Sequence, residues 1–146
     1  MGDRCFLCIT NDKRIISKSV YAIARLDGNP AVPGHILVSP KRHVGSIFEL
    51  EPFEIKSLWR EICRVRLMFG SVISDDHPDA WNIGINDGPA AGQTVPHAHI
   101  HMIPRRVGDQ EDPRGGIRRG LPNGDPDRWA NIEIAGGSFG GGRGYP

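Results

Sequence analysis

Apolar residues gather in short strand-like runs at both ends of residues 20–104 and adopt a helical period between them. Val20-Tyr21-Ala22-Ile23-Ala24-Arg25-Leu26 predicts a strand, because β-branched and aromatic residues lead into a turn. Asp27-Gly28-Asn29-Pro30 is that turn. Pro33-Gly34 then opens a second strand, His35-Ile36-Leu37-Val38-Ser39, which Pro40 stops; the two strands are expected to pair as a hairpin. Over residues 52–69, Ile55, Leu58, Ile62, Val65 and Phe69 follow helical spacing, with Trp59 and Arg66 beside the stripe. Pro52 suits the first turn of this helix and Gly70 its end. Trp81–Asn86 alternates and predicts a third strand; Asp87-Gly88-Pro89 turns the chain. Ala90–Thr94 is a loop of small residues, and Val95–Pro104 predicts a fourth strand bounded by prolines. Several strands and one long helix predict an α+β fold with a mainly antiparallel sheet.

Composition narrows the class. A chain of 146 residues, 38% hydrophobic and 24% charged, has apolar material for one core and suggests one domain. No apolar run approaches the roughly 18 residues of a membrane span. The start lacks the apolar stretch of a secretory signal, so neither a signal nor an anchor is read. A formal charge of +1 argues against a global trap for nucleic acid or a membrane surface. Three cysteines argue against a disulfide scaffold and for a reducing, cytoplasmic setting. Eleven of the 19 glycines fall in residues 108–146, which places a core at 1–106 and an Arg/Gly-rich extension at 107–146 that packs on the core or trails from it.

The chemistry concentrates at His97, His99 and His101. In a strand, alternation would put all three imidazoles on one face at intervals of about 6.6 Å, with Ala98, Ile100 and Met102 on the other. A solvated His-rich face, a metal site and nucleophilic catalysis are the three readings of that row. Gly92-Gln93-Thr94-Val95, just ahead, favours the last of these. A glycine-led loop lets backbone N–H groups approach anionic oxygens, and Gln93 and Thr94 add neutral donors suited to a phosphoryl group. Separately, Cys5-x-x-Cys8 has the spacing of half a zinc site, and Cys63 reads as a core residue of the helix.

These motifs together resemble the histidine-triad (HIT) family. His97-Ala98-His99-Ile100-His101-Met102-Ile103 resembles its signature. Pro33–Val38 with Pro40-Lys41-Arg42-His43 resembles its N-terminal strand and turn, and Asn86–Val95 its nucleotide loop. The resemblance implies a HIT-like fold, a homodimer, and a nucleotidyl hydrolase or transferase working through a nucleotidyl-histidine. His99 would be the nucleophile, His101 would contact the phosphate, and His97 would support the strand or bind metal. His35 would back the triad, and Gln93 would bond the phosphate. Asp27 would meet the ribose hydroxyls, Asn86 the ribose or phosphate, and Gly92, Thr94 and Val95 would line the phosphate. In zinc-containing members, a structural zinc sits on positions equivalent to Cys5, Cys8, His43 and His97. The Gly-Gln-Thr-Val loop and the arginine pair Arg105-Arg106 resemble the Fhit branch, which makes a dinucleoside polyphosphate the first choice of substrate. A nucleoside phosphoramidate is the second, and an AMP-binding regulatory protein with little turnover is the rival. The Asp112–Gly116 run resembles a bacterial subgroup; with Arg118 and Arg119 it would offer guanidinium groups to further phosphates. Trp129 lies well beyond the position of the tryptophan that ends the Hint branch.

Overall fold

β2 (Ala22–Leu26) and β3 (Ile36–Pro40) form the expected hairpin, paired antiparallel from Ala22↔Pro40 to Leu26↔Ile36. A computed structural model describes residues 5–74 and 77–117. The chain divides into two units, Met1–Asp109 and Gln110–Pro146, each described by itself. In the first unit, β1 (Ile15–Lys18), β2, β3, β4 (Ala80–Gly84) and β5 (Ile100–Arg105) build one antiparallel sheet in the order β1-β2-β3-β5-β4. β5, last in sequence, inserts between β3 and β4, and this brings the histidine segment to the middle of the sheet.

The helix α1 (Pro52–Val72) covers one face of the sheet. Leu58, Ile62, Val65 and Phe69 pack with Ala22, Ala24, Ile36, Val38, Ile100 and Met102. Alternation then sends Arg25, Leu37 and His101, which are neighbours in register, to the opposite face. The interior of the helix differs from the expected stripe at its start. Ile55 is 49% exposed, while Glu54 is buried. Glu54 holds that place because Arg42 donates to both of its oxygens, at 3.0 and 2.6 Å, and its carboxylate also accepts from the Glu51 N–H at 2.9 Å. The Arg42 bonds hold the Glu54 carboxyl below its usual range despite burial.

Four further expectations change. The helix runs through Gly70; glycine is there because a Cβ would collide with the His77 ring. Cys63 is exposed, since it falls on the solvent side of α1. β1 is a strand the pattern did not announce, four residues long and bulged between Ile15 and Ser17. The histidine strand starts only at Ile100. Ahead of it the backbone leaves the β3 ladder: the Ala98 N–H goes to the Val44 carbonyl at 2.7 Å, and Pro40, at the end of β3, has no N–H to extend the pairing. The three imidazoles therefore do not form one row.

In the second unit, Arg114 is committed to Asp112, with its Nε 3.1 Å from the carboxylate, and the Gly116 N–H closes a turn on the Pro113 carbonyl. Arg118, Arg119, Trp129 and the glycine-rich tail lie outside the described residues.

Gly34 fixes the approach to β3. Its φ is +84°, and a Cβ there would lie 2.7 Å from the Phe69 ring, which is itself wedged edge-on against Trp81. Gly34→Ala is expected to cost about 2–4 kcal/mol, the sum of a left-handed backbone and an overpacked ring. Urea unfolding of the two proteins checks this, and equal midpoints would refute it.

Candidate functional site

His35, His99, His101 and Asp27 converge beside the centre of the sheet. His101 leaves β5 on the face opposite α1, and His35 sits just before β3. His35 Nε2 lies 3.0 Å from His101 Nδ1. The Ala31 N–H donates to His35 Nδ1 at 3.1 Å. With that donor accepted, neutral His35 carries its proton on Nε2, donates it in a hydrogen bond to His101 Nδ1, and leaves His101 with an Nε2–H. Asp27, just after β2, places Oδ2 at 3.3 Å from His35 Nδ1, while its Oδ1 accepts the Asn29 N–H at 3.0 Å.

His99 is held differently. Its Nδ1–H donates to the carbonyl of His97 at 2.7 Å, so Nε2 keeps its lone pair. Its ring meets that of His101 edge-on, with centroids 4.9 Å apart. Burial, reinforced by His99 and His35, pushes His101 down to about 4. Burial also lowers His35, against the pull of Asp27. The pair is neutral at neutral pH, as donors to and acceptors from one another must be.

His97 belongs to a second cluster. Its ring is fully buried, and Nε2–H donates to the Pro40 carbonyl at 2.9 Å. The Nδ1 lone pair then faces Cys5 Sγ and Cys8 Sγ, each at 3.5 Å, and His43 Nδ1 at 3.2 Å. Cys8 Sγ lies 3.3 Å from His43 Nδ1. A tetrahedral zinc with Zn–S of about 2.3 Å and Zn–N of about 2.0 Å needs S–N separations of about 3.5 Å and N–N separations of about 3.3 Å. The three S–N separations and the N–N separation given above meet those distances within a few tenths of an ångström, and all four ligand atoms lie within 4.8 Å of one another. Burial, then the adjacent Cys5, pushes the Cys8 thiol up, against the pull of the Arg25 guanidinium. The residues present fit a zinc ion.

The loop ahead of the histidines is braced by its own side chains. Gln93 Oε1 accepts the Gly88 N–H at 2.7 Å, and Nε2 donates to the Gly45 carbonyl at 2.8 Å and the Val95 carbonyl at 3.0 Å. This amide ties two loops together and does not face the histidines as a spare donor. The N–H groups of Gly92 and Gln93 are likewise turned inward, onto the Pro89 and Gly88 carbonyls. Asn86 is half-buried, Thr94 exposed and Val95 half-buried. Ser46 and Thr94 help line a cleft of about 440 Å³ beside this loop. Arg105 is committed to Asp109, at 2.6 Å, and to Asn82.

Three supports escaped the sequence reading. Arg25 is fully buried and donates to the carbonyls of Phe6, Leu7 and Ile9 at 2.7, 2.9 and 3.0 Å, which holds the Cys5–Cys8 turn onto the sheet. An arginine inside an apolar strand was the available signal. Asp87 accepts from the Ser46 hydroxyl and the Ile47 N–H, and Ala31 supplies its backbone N–H to His35. A backbone donor leaves no mark in the residue types.

Residues 9–108 match the HIT domain family. A Schizosaccharomyces pombe protein named asymmetrical bis(5'-nucleosyl)-tetraphosphatase is 38% identical over 96 residues, covering 66% of this chain and 51% of its own length. A Dictyostelium discoideum protein named bis(5'-adenosyl)-triphosphatase is 39% identical over 106 residues, covering 71% of this chain and 68% of its own. The crystal structure of a zinc-bound histidine triad family protein from Mycobacterium smegmatis aligns with a TM-score of 0.58 at 36% identity, over 67% of this chain and 69% of that one. The chain thus spans about half the length of its fission-yeast relative. With most of its sequence matched and the sheet, helix and histidine segment in place, this chain belongs to the HIT domain family.

Proposed function

We propose that this protein is a nucleotidyl hydrolase that cleaves dinucleoside polyphosphates at the α-phosphate. The observation that carries the reading is the His99 Nδ1–H bond to the His97 carbonyl, which in the neutral ring leaves the Nε2 lone pair uncommitted. That nitrogen attacks the α-phosphorus. A P–N bond forms as the P–O bond to the departing nucleoside phosphate breaks, and the Nε2–H of His101 donates a hydrogen bond to the departing oxygen. Water then displaces His99, the P–N bond breaks, and the nucleoside monophosphate leaves. Asp27 would accept from the ribose hydroxyls, Asn86 would reach ribose or phosphate, and Gly92, Thr94 and Val95 would flank the phosphates. His35 would orient His101, and Gln93 would act by bracing the loop. The names of the fission-yeast and Dictyostelium relatives support the substrate class.

Cys5, Cys8, His43 and His97 would hold a structural zinc, which pins the N-terminal segment to the sheet when bound. The core would be residues 1–106, with residues 107–146 an extension. Three unpaired cysteines support a cytoplasmic setting, and no helix among the described residues is long and apolar enough to cross a membrane. A homodimer is supported by α1: Ile55, Trp59, Cys63 and Leu67, four residues apart in turn, are all exposed on one side of it.

Intact-protein mass after mixing with diadenosine tetraphosphate should reveal one added AMP, mapped to His99. His99→Ala should lose at least about 10³-fold in turnover while still binding AMP. AMP binding with no turnover and no adduct would replace the enzyme with the regulatory protein. Purified protein should carry one zinc per chain, and chelation in mild denaturant should lower the Tm by about 10 °C, equivalent to about 3 kcal/mol in a domain of this size. An unchanged Tm would refute a structural zinc. In sedimentation, the wild type should run as a dimer and Trp59→Glu as a folded monomer; a monomeric wild type would remove the helix interface.

A further inference from the structure

His35 Nδ1 has two neighbours that demand opposite proton positions. The Ala31 N–H, 3.1 Å away, needs Nδ1 to accept. Asp27 Oδ2 lies 3.3 Å away, a contact that can become a hydrogen bond only if Nδ1 carries the proton. Because His35 and His101 are linked at 3.0 Å through Nε2 and Nδ1, the choice passes to the second ring. When Ala31 wins, His35 holds its proton on Nε2, His101 accepts at Nδ1, and the outer nitrogen of His101 bears a proton. When Asp27 wins, His35 holds its proton on Nδ1, its Nε2 accepts from His101 Nδ1–H, and the outer nitrogen of His101 is bare. Each state has one proton per ring, so the exchange moves protons without changing charge.

We propose that Asp27 is a positioning residue for this pair: a ligand hydroxyl that donates to Asp27 Oδ2 withdraws it from His35, leaves His35 to Ala31, and so arms His101 as an Nε2–H donor. The inference rests on the nucleotide reading for the identity of the ligand, whose ribose 2' and 3' hydroxyls are the donors. Recognition of the sugar then acts on the leaving-group end of the site through two imidazoles.

The surroundings suit a choice between tautomers more than a choice of charge. His35 faces Asp27, His101 and His99, and the Arg14 guanidinium acts in turn on Asp27. Burial disfavours the charged form of both rings, and His101 is held down to about 4. Asp27 Oδ1 is already occupied by the Asn29 N–H, so Oδ2 is the oxygen that must choose.

Ring ¹⁵N shifts of His35 and His101, read near pH 7.5, test this. AMP should raise the ratio of the Nε2–H to the Nδ1–H form on both rings by about tenfold, the size of one charge-assisted hydrogen bond, whereas saturating 2',3'-dideoxy-AMP should leave the ratio of the free protein. Asp27→Asn, without ligand, should already show the Nε2–H form and respond equally to both nucleotides. Equal shifts from AMP and its dideoxy analogue in the wild type, or a ligand-free Asp27→Asn with the wild-type ratio, would overturn the proposal. If AMP does not bind at all, the nucleotide reading and the ribose trigger fall together, and the ligand-free comparison of wild type with Asp27→Asn still shows whether Asp27 competes for His35.

Discussion

The carbonyl of His97 receives the Nδ1–H of His99 at 2.7 Å, while the ring of His97 is gripped on its other side by Pro40 and the cysteine–histidine cluster. One residue thus belongs to two sites. Its side chain anchors the backbone to the end of β3, and the anchored backbone fixes the nitrogen on which the proposed chemistry depends. If the ring of His97 moved, its carbonyl would move too, and the imidazole of His99 would lose both its tautomer and its aim. Burial strengthens this coupling: His97 is fully buried, and burial, opposed by the Pro40 carbonyl, keeps it neutral.

Behind His97 the dependence continues into the N-terminal segment. Cys5 and Cys8 reach the cluster only because the turn that carries them is laid across the sheet, and Arg25 does the laying. A guanidinium with no exposure is costly unless its donors are used; here three backbone carbonyls accept from the two terminal nitrogens, Asp12 approaches to 3.7 Å, and the Nε–H is left without a partner among the described residues. Arg25, Leu37 and His101 lie side by side in register across β2, β3 and β5. The same row of the sheet therefore holds the N-terminal turn at one strand and a histidine of the candidate site two strands away.

Most of the fold was legible because hydrophobic periodicity reports burial directly. The hairpin of β2 and β3, the long helix and β4 all fall where their patterns put them, within two or three residues. The misses have separate causes. Helical spacing cannot tell Ile55 from Glu54 as the inward residue, since the decision lies with Arg42, twelve positions away. Gly70 resembles a helix end because the signal for a stop and the signal for a close neighbour, His77, are the same missing side chain. The histidine run alternates with apolar residues as a strand does, yet alternation is a statement about one element, and Val44 lies on another. Of the candidate site, the residue types were readable and the partners were not. Gln93 was the expected donor to a ligand, but its amide is spent on Gly88, Gly45 and Val95, none of which its own neighbours in sequence single out as partners.

Five of the six histidines fall into these two clusters, and the physical problem they pose is the same in both. Imidazoles packed this closely repel one another if protonated, so the arrangement survives only where protonation is suppressed and each ring donates in one direction and accepts in the other. Desolvation supplies the first condition, lowering His35, His97 and His101 alike. Backbone groups supply the second: the Pro40 and His97 carbonyls take protons from His97 and His99, and the Ala31 N–H offers one to His35. Main-chain partners cannot change protonation state, which makes them fixed references at three of these rings. At His35 a side-chain acceptor, Asp27, stands beside the same ring nitrogen as the backbone donor, and there a hydroxyl ligand has something to decide.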